Sequence, residues 1–255
     1  MADVDGDGHD EIITGAGPGG PPIVRVFTAS GTELHEFYAF DSAFTGGVNV
    51  AAADLEGTGR PDIVVAAGAG GGPNVKVVRP DGTLRASFFA YDDAFHGGVN
   101  VAAGVIGGRG VIATGPGAGG GPDVRSFTWQ GQLTGARFAY DPRFVGGVNV
   151  AVGTIEGQPS VVTGPGPGGG PDVKVFEANG AVREFFAYDG GFAGGVTVAV
   201  TGGTSGTEAV IVTGPGPGGR PHVRVFSGSG TPLGGGFLAY DAGFAGGVRV
   251  AAGSA

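Results

Sequence analysis

The sequence predicts an all-β chain, a five-bladed β-propeller with four antiparallel strands per blade, from three observations. Gly-Gly-Val recurs five times, and its valines Val48, Val99, Val148, Val196 and Val248 stand 51, 49, 48 and 52 residues apart. A period of about 50 residues lies in the range of propeller blades. Between loops rich in glycine and proline lie short apolar runs such as Val173-Lys174-Val175-Phe176, which read as strands. Helical spacing is absent, and sheets exposed on both faces must pack on neighbours, which a closed ring achieves.

In chain order, an acidic segment from Asp3 to Glu11 leads into a first strand at Glu11 to Gly15. In the second copy Val48 to Ala53 precedes the equivalent strand, Ile63 to Ala67. The fourth copy supplies the pattern of four strands: Ser160 to Gly164, Asp172 to Glu177, Val182 to Ala187 and Gly195 to Val200. Its middle pair is joined through Asn179-Gly180, whose residue types suit the positive backbone angles of a tight hairpin. The chain closes on a strand at Gly247 to Gly253. A strand of that kind elsewhere precedes the equivalent of Glu11 to Gly15, so the two ends are expected to meet. The C-terminal strand is expected to pair with the three N-terminal strands and close the ring, making residues 1–255 one propeller domain that loss of residues 246–255 would collapse.

Composition narrows the classes. The 59 glycines and 17 prolines would suit a disordered chain were they not confined to matching loop positions. With 41% hydrophobic residues and a net charge of −9, the chain reads as globular and mildly acidic. Its 14 Lys and Arg form no basic run, which excludes a phosphate-backbone footprint, so no nucleic-acid partner is expected. Cysteine is absent, which removes disulfide and thiol chemistry. No apolar stretch approaches a membrane span, so no membrane insertion is expected, and a monomer is. Met1-Ala2-Asp3 runs straight into the acidic motif, so any secretion signal is expected to have been removed or to belong to a longer parent.

The segment Asp3-Val4-Asp5-Gly6-Asp7-Gly8-His9-Asp10-Glu11 places carboxylates at positions one, three, five and nine, with the His9 carbonyl at position seven. Hard oxygen ligands at that spacing suit Ca2+. An EF-hand would need a bidentate glutamate at position twelve between helices, whereas position twelve is Thr14, in a strand. In the second copy Asp54, Glu56 and Asp62 keep positions one, three and nine, but Thr58 replaces the central carboxylate, making a weaker second site. The third, fourth and fifth copies, at Val105 to Arg109, Thr154 to Gln158 and Thr201 to Ser205, offer no carboxylate cage.

These motifs resemble the FG-GAP repeats of integrin-type β-propellers and of large bacterial extracellular proteins. The resemblance is carried by the acidic loop at 3–11, Ile-Ile-Thr-Gly-Ala-Gly-Pro at 12–18, Gly-Gly-Val-Asn-Val-Ala-Ala at 46–52 and Phe-Ala-Tyr-Asp at 138–141. It implies calcium held at the rim by Asp3, Asp5, Asp7 and Glu11, although Glu11 departs from the family's usual aspartate. It also implies an extracellular or cell-surface setting and an adhesive role.

Each repeat keeps one cation (Arg25, Lys76, Arg125, Lys174, Arg224) and one acid (Asp41, Asp92, Asp141, Asp189, Asp241), which are expected to pair with each other. Phe44, Phe95, Phe144, Phe192 and Phe244 are expected to wedge between blades. The Gly/Pro loops and the Asp-to-Gly-Gly connections share the face opposite the acidic loop, the candidate binding surface. His96, Arg220 and His222 break the repeat there and are the candidate ligand-binding residues. The inner-strand positions Asn49, Asn100, Asn149, Thr197 and Arg249 hold no acid, and the four histidines fall at unmatched positions, so no catalytic constellation is expected. Trp129 reads as an incidental surface aromatic. The function expected is a noncatalytic, calcium-binding module for a protein or glycan ligand. The alternatives are a lectin-like propeller and a purely structural scaffold.

Overall fold

A computed structural model describes residues 1–201 and 209–253. Among them there are five antiparallel sheets and no helix. The first sheet holds β1 (Ile12–Gly15), β2 (Ile23–Phe27) and β3 (Glu33–Tyr38). The second holds β4 (Val48–Ala53), β5 (Asp62–Ala67), β6 (Asn74–Val78) and β7 (Leu84–Phe89). The third holds β8 (Val99–Ile106), β9 (Arg109–Pro116), β10 (Asp123–Phe127) and β11 (Leu133–Phe138). The fourth holds β12 (Val148–Ile155), β13 (Gln158–Pro165), β14 (Asp172–Glu177) and β15 (Val182–Phe186). The fifth holds β16 (Val196–Thr201), β17 (Val210–Pro215), β18 (His222–Ser227) and β19 (Phe237–Leu238). The chain is a five-bladed β-propeller.

The core lies between blades. Val24 and Val26 of the first blade pack with Val48, Ile63 and Val65 of the second, and comparable clusters fill the later junctions. One backbone bond repeats around the whole ring. The amides of Gly19, Gly70, Gly119, Gly168 and Gly218 donate to the carbonyls of Thr45, His96, Val145, Ala193 and Ala245, each in the segment entering the next blade. Gly-Gly is required at that entry. Gly98 has φ +80°, and a Cβ there would lie 2.5 Å from the backbone carbon of Gly68.

Three junctions share a tyrosine clasp. The hydroxyls of Tyr91, Tyr140 and Tyr188 meet Thr114, Thr163 and Thr213 of the following blade, and each donates to a carbonyl there, of Asp123, Asp172 and His222. At the first junction both members are apolar, because Phe40 stands for the tyrosine and Val65, by its register opposite Lys76, for the threonine.

The fifth junction departs from the expected closure. Residues 247–253 occupy the inner place of the first blade: the Val248 amide donates to the Pro215 carbonyl at 2.8 Å, and Arg249 reaches Asn49 at 3.2 Å. Yet they form no ladder with β1, and among the described residues the first sheet has three strands. Elsewhere a covalent loop sets this register, as where Ile155 pairs with Gln158 across Glu156-Gly157. Here the partners are opposite chain ends, so no short loop closure holds them in step. Tyr240 remains 57% exposed, and the cavity of about 260 Å³ lined by Thr14, Ile23 and Arg25 lies where its counterparts would seat.

Smaller expectations are corrected too. In the turn after β14 only Gly180 has positive φ, with Gly180 N–H donating to the Glu177 carbonyl, so one left-handed residue suffices. The loops of the third and fourth copies have become two-residue hairpins, Gly107-Gly108 and Glu156-Gly157, with positive φ throughout. Residues 202–205 of the fifth loop lie outside the described residues.

Candidate metal centre and axial pocket

The first loop folds around its own carboxylates. Asp3 accepts the amides of Gly6 (2.7 Å) and Gly8 (3.0 Å), and Asp5 accepts that of Asp7. Gly6 and Gly8, with φ of +83° and +90°, let the backbone curl enough for this. Glu11 is 1% exposed and takes the Val4 amide at 2.9 Å. Carboxylate oxygens of Asp3, Asp5 and Glu11 thereby come within 4.8 Å of one another. Asp7 is not in that cluster; its carboxylate accepts the His9 amide, and His9 is exposed. The donor set, three carboxylates on a tight loop, has the hard-oxygen chemistry that fits calcium.

The second loop repeats the fold and changes the countercharge. Asp54 accepts amides from Thr58 and Gly59, as Asp3 does from Gly6 and Gly8. Although burial pushes the Asp54 carboxyl up, these backbone donors hold it below the usual carboxylate range. Asp62 is 4% exposed, and burial raises its carboxyl against the pull of Arg85. The Arg85 guanidinium lies 2.5 Å from Asp62 and 2.6 Å from Glu56, and stacks 4.7 Å from the Trp129 ring of the next blade. Trp129 is therefore a packed partner and not an incidental surface aromatic. In the fourth copy Arg183 likewise bridges Glu156 and buried Glu177, at 2.6 Å each.

The first copy lacks such an arginine. The bulged positions Leu34 and Arg85 are equivalent, because Val26 pairs with His35 as Val77 pairs with Ala86. Leu34 packs into the core instead, and among the described residues no arginine or lysine pairs with Asp3, Asp5 or Glu11. That the first copy carries leucine where the second carries the bridging arginine is legible in the sequence only once the register is known.

The five repeated cations do not pair with the five repeated acids. Lys76, Arg125 and Arg224 reach back to the carbonyls of Ala39, Ala90 and Ala187 in the preceding blade, while Arg25 and Lys174 meet Glu36 and Glu184. Asp41, Asp92, Asp141, Asp189 and Asp241 each cap the amide two residues on. Matched numbers had concealed two separate local tasks. Phe44 and its counterparts pack edge-on against the preceding aromatic and beside loop glycines such as Gly71.

At the Gly-Gly end of the ring a cavity of about 210 Å³ opens on the axis. Asn49, Asn100, Asn149 and Arg249 line it, with glycine backbone from the repeated loops. His96, Arg220 and His222 are not among its lining residues. His96 lies before β8, whereas Arg220 lies just before β18 and His222 opens it, so they stand on blades separated by a third. The His222 ring bonds the Gly235 carbonyl at 2.8 Å.

Fold and loop together define a five-bladed β-propeller with one acidic loop that, among the described residues, no arginine neutralises. Residues 3–65 match the FG-GAP-like repeat. No curated protein matches it in sequence. Solved structures share the fold at low identity. A protein of unknown function from Bacteroides caccae is 9% identical with a TM-score of 0.53, over 90% of this chain and 73% of that one. Virginiamycin B lyase from Staphylococcus aureus is 11% identical with a TM-score of 0.54, over 83% of this chain and 61% of the lyase.

Proposed function

We propose that this propeller is a noncatalytic, calcium-binding module that acts outside the cell as a binding or adhesion unit of a larger protein. The observation that carries the metal is the gathering of Asp3, Asp5 and Glu11 in a loop where no guanidinium replaces it. Asp3 and Glu11 would hold the ion from oxygens already oriented by backbone amides, and exposed Asp5 would complete the set. Bound calcium would lock the first loop at the junction where the ring is least bonded. The extracellular and adhesive parts rest on the likeness to FG-GAP propellers.

The test is a calorimetric calcium titration of chelator-stripped protein beside Asp5→Ala, which removes a ligand without removing the loop's main amide acceptor. One site per chain, lost in the variant, is expected. No binding, or equal binding by the variant, overturns the metal reading.

A glycan-binding role is the second reading, favoured by one repeated feature. Tyr38, Phe89, Phe138 and Phe186 occupy the same outer-strand position and are 55 to 62% exposed. Flat aromatic faces of this kind suit sugar stacking. A glycan array probed with calcium and with chelator separates the readings, since selective signal supports the lectin and silence removes it.

A further inference from the structure

The axial pocket is built from donors. Asn49, Asn100 and Asn149 each donate one amide hydrogen to the carbonyl of the next inner strand, at Val99, Val148 and Val196, all at 2.8 Å. Thr197 makes the same bridge to the Val248 carbonyl at 2.6 Å. A side-chain amide has two hydrogens, so Asn100 and Asn149 each keep one after bridging. Arg249 closes the circle onto the Asn49 side-chain oxygen at 3.2 Å with one of its five N–H groups. An uncharged residue suffices for the bridge in four copies, so the positive charge at Arg249 exceeds what ring closure needs.

Among the described residues no carboxylate lines the cavity, and Arg249 is its one charged group. In a chain of net charge −9 this is a localised positive site. A guanidinium fork matches a carboxylate through paired hydrogen bonds, and neutral amides suit hydroxyl groups. The volume, about 210 Å³, is below the roughly 300–1,000 Å³ of pockets for drug-sized ligands, which limits the occupant to one compact group.

We propose that the axial pocket binds a compact hydroxy-carboxylate, the chemistry of a single uronic-acid residue, with Arg249 taking the carboxylate and Asn100 and Asn149 the hydroxyls. The acidic loop lies at the other end of the inner strands, so this site does not depend on calcium. The two readings can therefore fail separately.

The experiment titrates glucuronate, glucose and inorganic phosphate into the full chain by calorimetry, in calcium and again in chelator. Arg249→Asn is the first variant, because it installs the residue that in three other copies bridges to the carbonyl of the next inner strand. Glucuronate is expected to bind with a dissociation constant on the order of 1 mM and to weaken at least about tenfold in Arg249→Asn, with calcium making no difference. Glucose binding as tightly, phosphate binding without glucuronate, or glucuronate binding unchanged in the variant overturns the assignment. Should Arg249→Asn fold poorly, Arg249→Lys keeps the charge but not the fork. Weaker glucuronate binding in it supports the paired geometry, and undiminished binding overturns it.

Discussion

Arg85 stands 2.5 Å from Asp62, on a carboxylate 4% exposed, in the loop that is the second copy of the acidic segment. The equivalent of Arg85 in the first copy is Leu34. One side chain on an outer strand thus distinguishes a loop whose acids an arginine neutralises from a loop whose acids, among the described residues, have no such partner.

Replacing Arg85 with Leu, to match the first copy, leaves buried Asp62 without its partner. The expected loss is about 3 kcal/mol, because a buried charge then lacks compensation. Calcium is expected to restore part of it, since Asp54, Glu56 and Asp62 become a second unpaired set. Thermal melts of the variant with calcium and with chelator check this; an equal melting temperature in both shows that Thr58 has ended metal binding there.

Gly98→Ala is expected to cost on the order of 3 kcal/mol, from a left-handed backbone and a Cβ driven into Gly68. Gly121→Ala is the control: nothing lies within 4 Å of its added Cβ and its φ is not positive, so a change within about 0.5 kcal/mol is expected. Denaturant midpoints of the two variants decide whether the repeated glycines have position-specific tasks.

Burial pushes the Tyr188 phenol up to about 12, against the pull of its bond to Thr213. The protonated form is favoured in the fold, so its contribution is complete below the ordinary phenol value of about 10 and is lost as pH rises through about 12. The loss is on the order of 2 kcal/mol. Urea midpoints at two alkaline pH values spanning that window should fall further for the parent chain than for Tyr188→Phe. Parallel falls would show that this hydroxyl does not govern alkaline unfolding.

The open fifth junction makes β1 the exposed edge of the ring. Its residues alternate between exposed and half-buried, whereas β5, its counterpart, is buried throughout. Hydrogen exchange at Ile12–Gly15 is therefore expected to be at least about tenfold faster than at Ile63–Ala67. Equal protection would mean that Tyr240 seats against Thr14 in solution and that the C-terminal segment completes the first sheet.

Much of the fold was legible because repetition reports geometry. Five Gly-Gly-Val tripeptides mark five entries into inner strands, and the strands of the fourth copy fall within two residues of their expected bounds. The acidic loop was legible for a related reason. Alternating carboxylates separated by glycines converge through local backbone curvature, so the clustering of Asp3, Asp5 and Glu11 depends on few distant contacts.

The partners of the repeated charges were not legible, since five cations and five acids are compatible with many pairings. Register decides that Lys76 reaches the Ala39 carbonyl and that Asp41 turns to the Ala43 amide. The axial pocket was equally hidden, because Asn49 and Arg249 are 200 residues apart in sequence and meet only when the ring closes.

By itself, then, the sequence determined the blade number, the strand positions and the one intact acidic loop, all consequences of short-range backbone preference repeated at a fixed period. The tertiary structure alone decided which loop an arginine neutralises, which junction stays unlaced and where the single axial cation points. Those outcomes depend on strand register and on contacts between blades, where side chains distant in sequence compete for the same buried space.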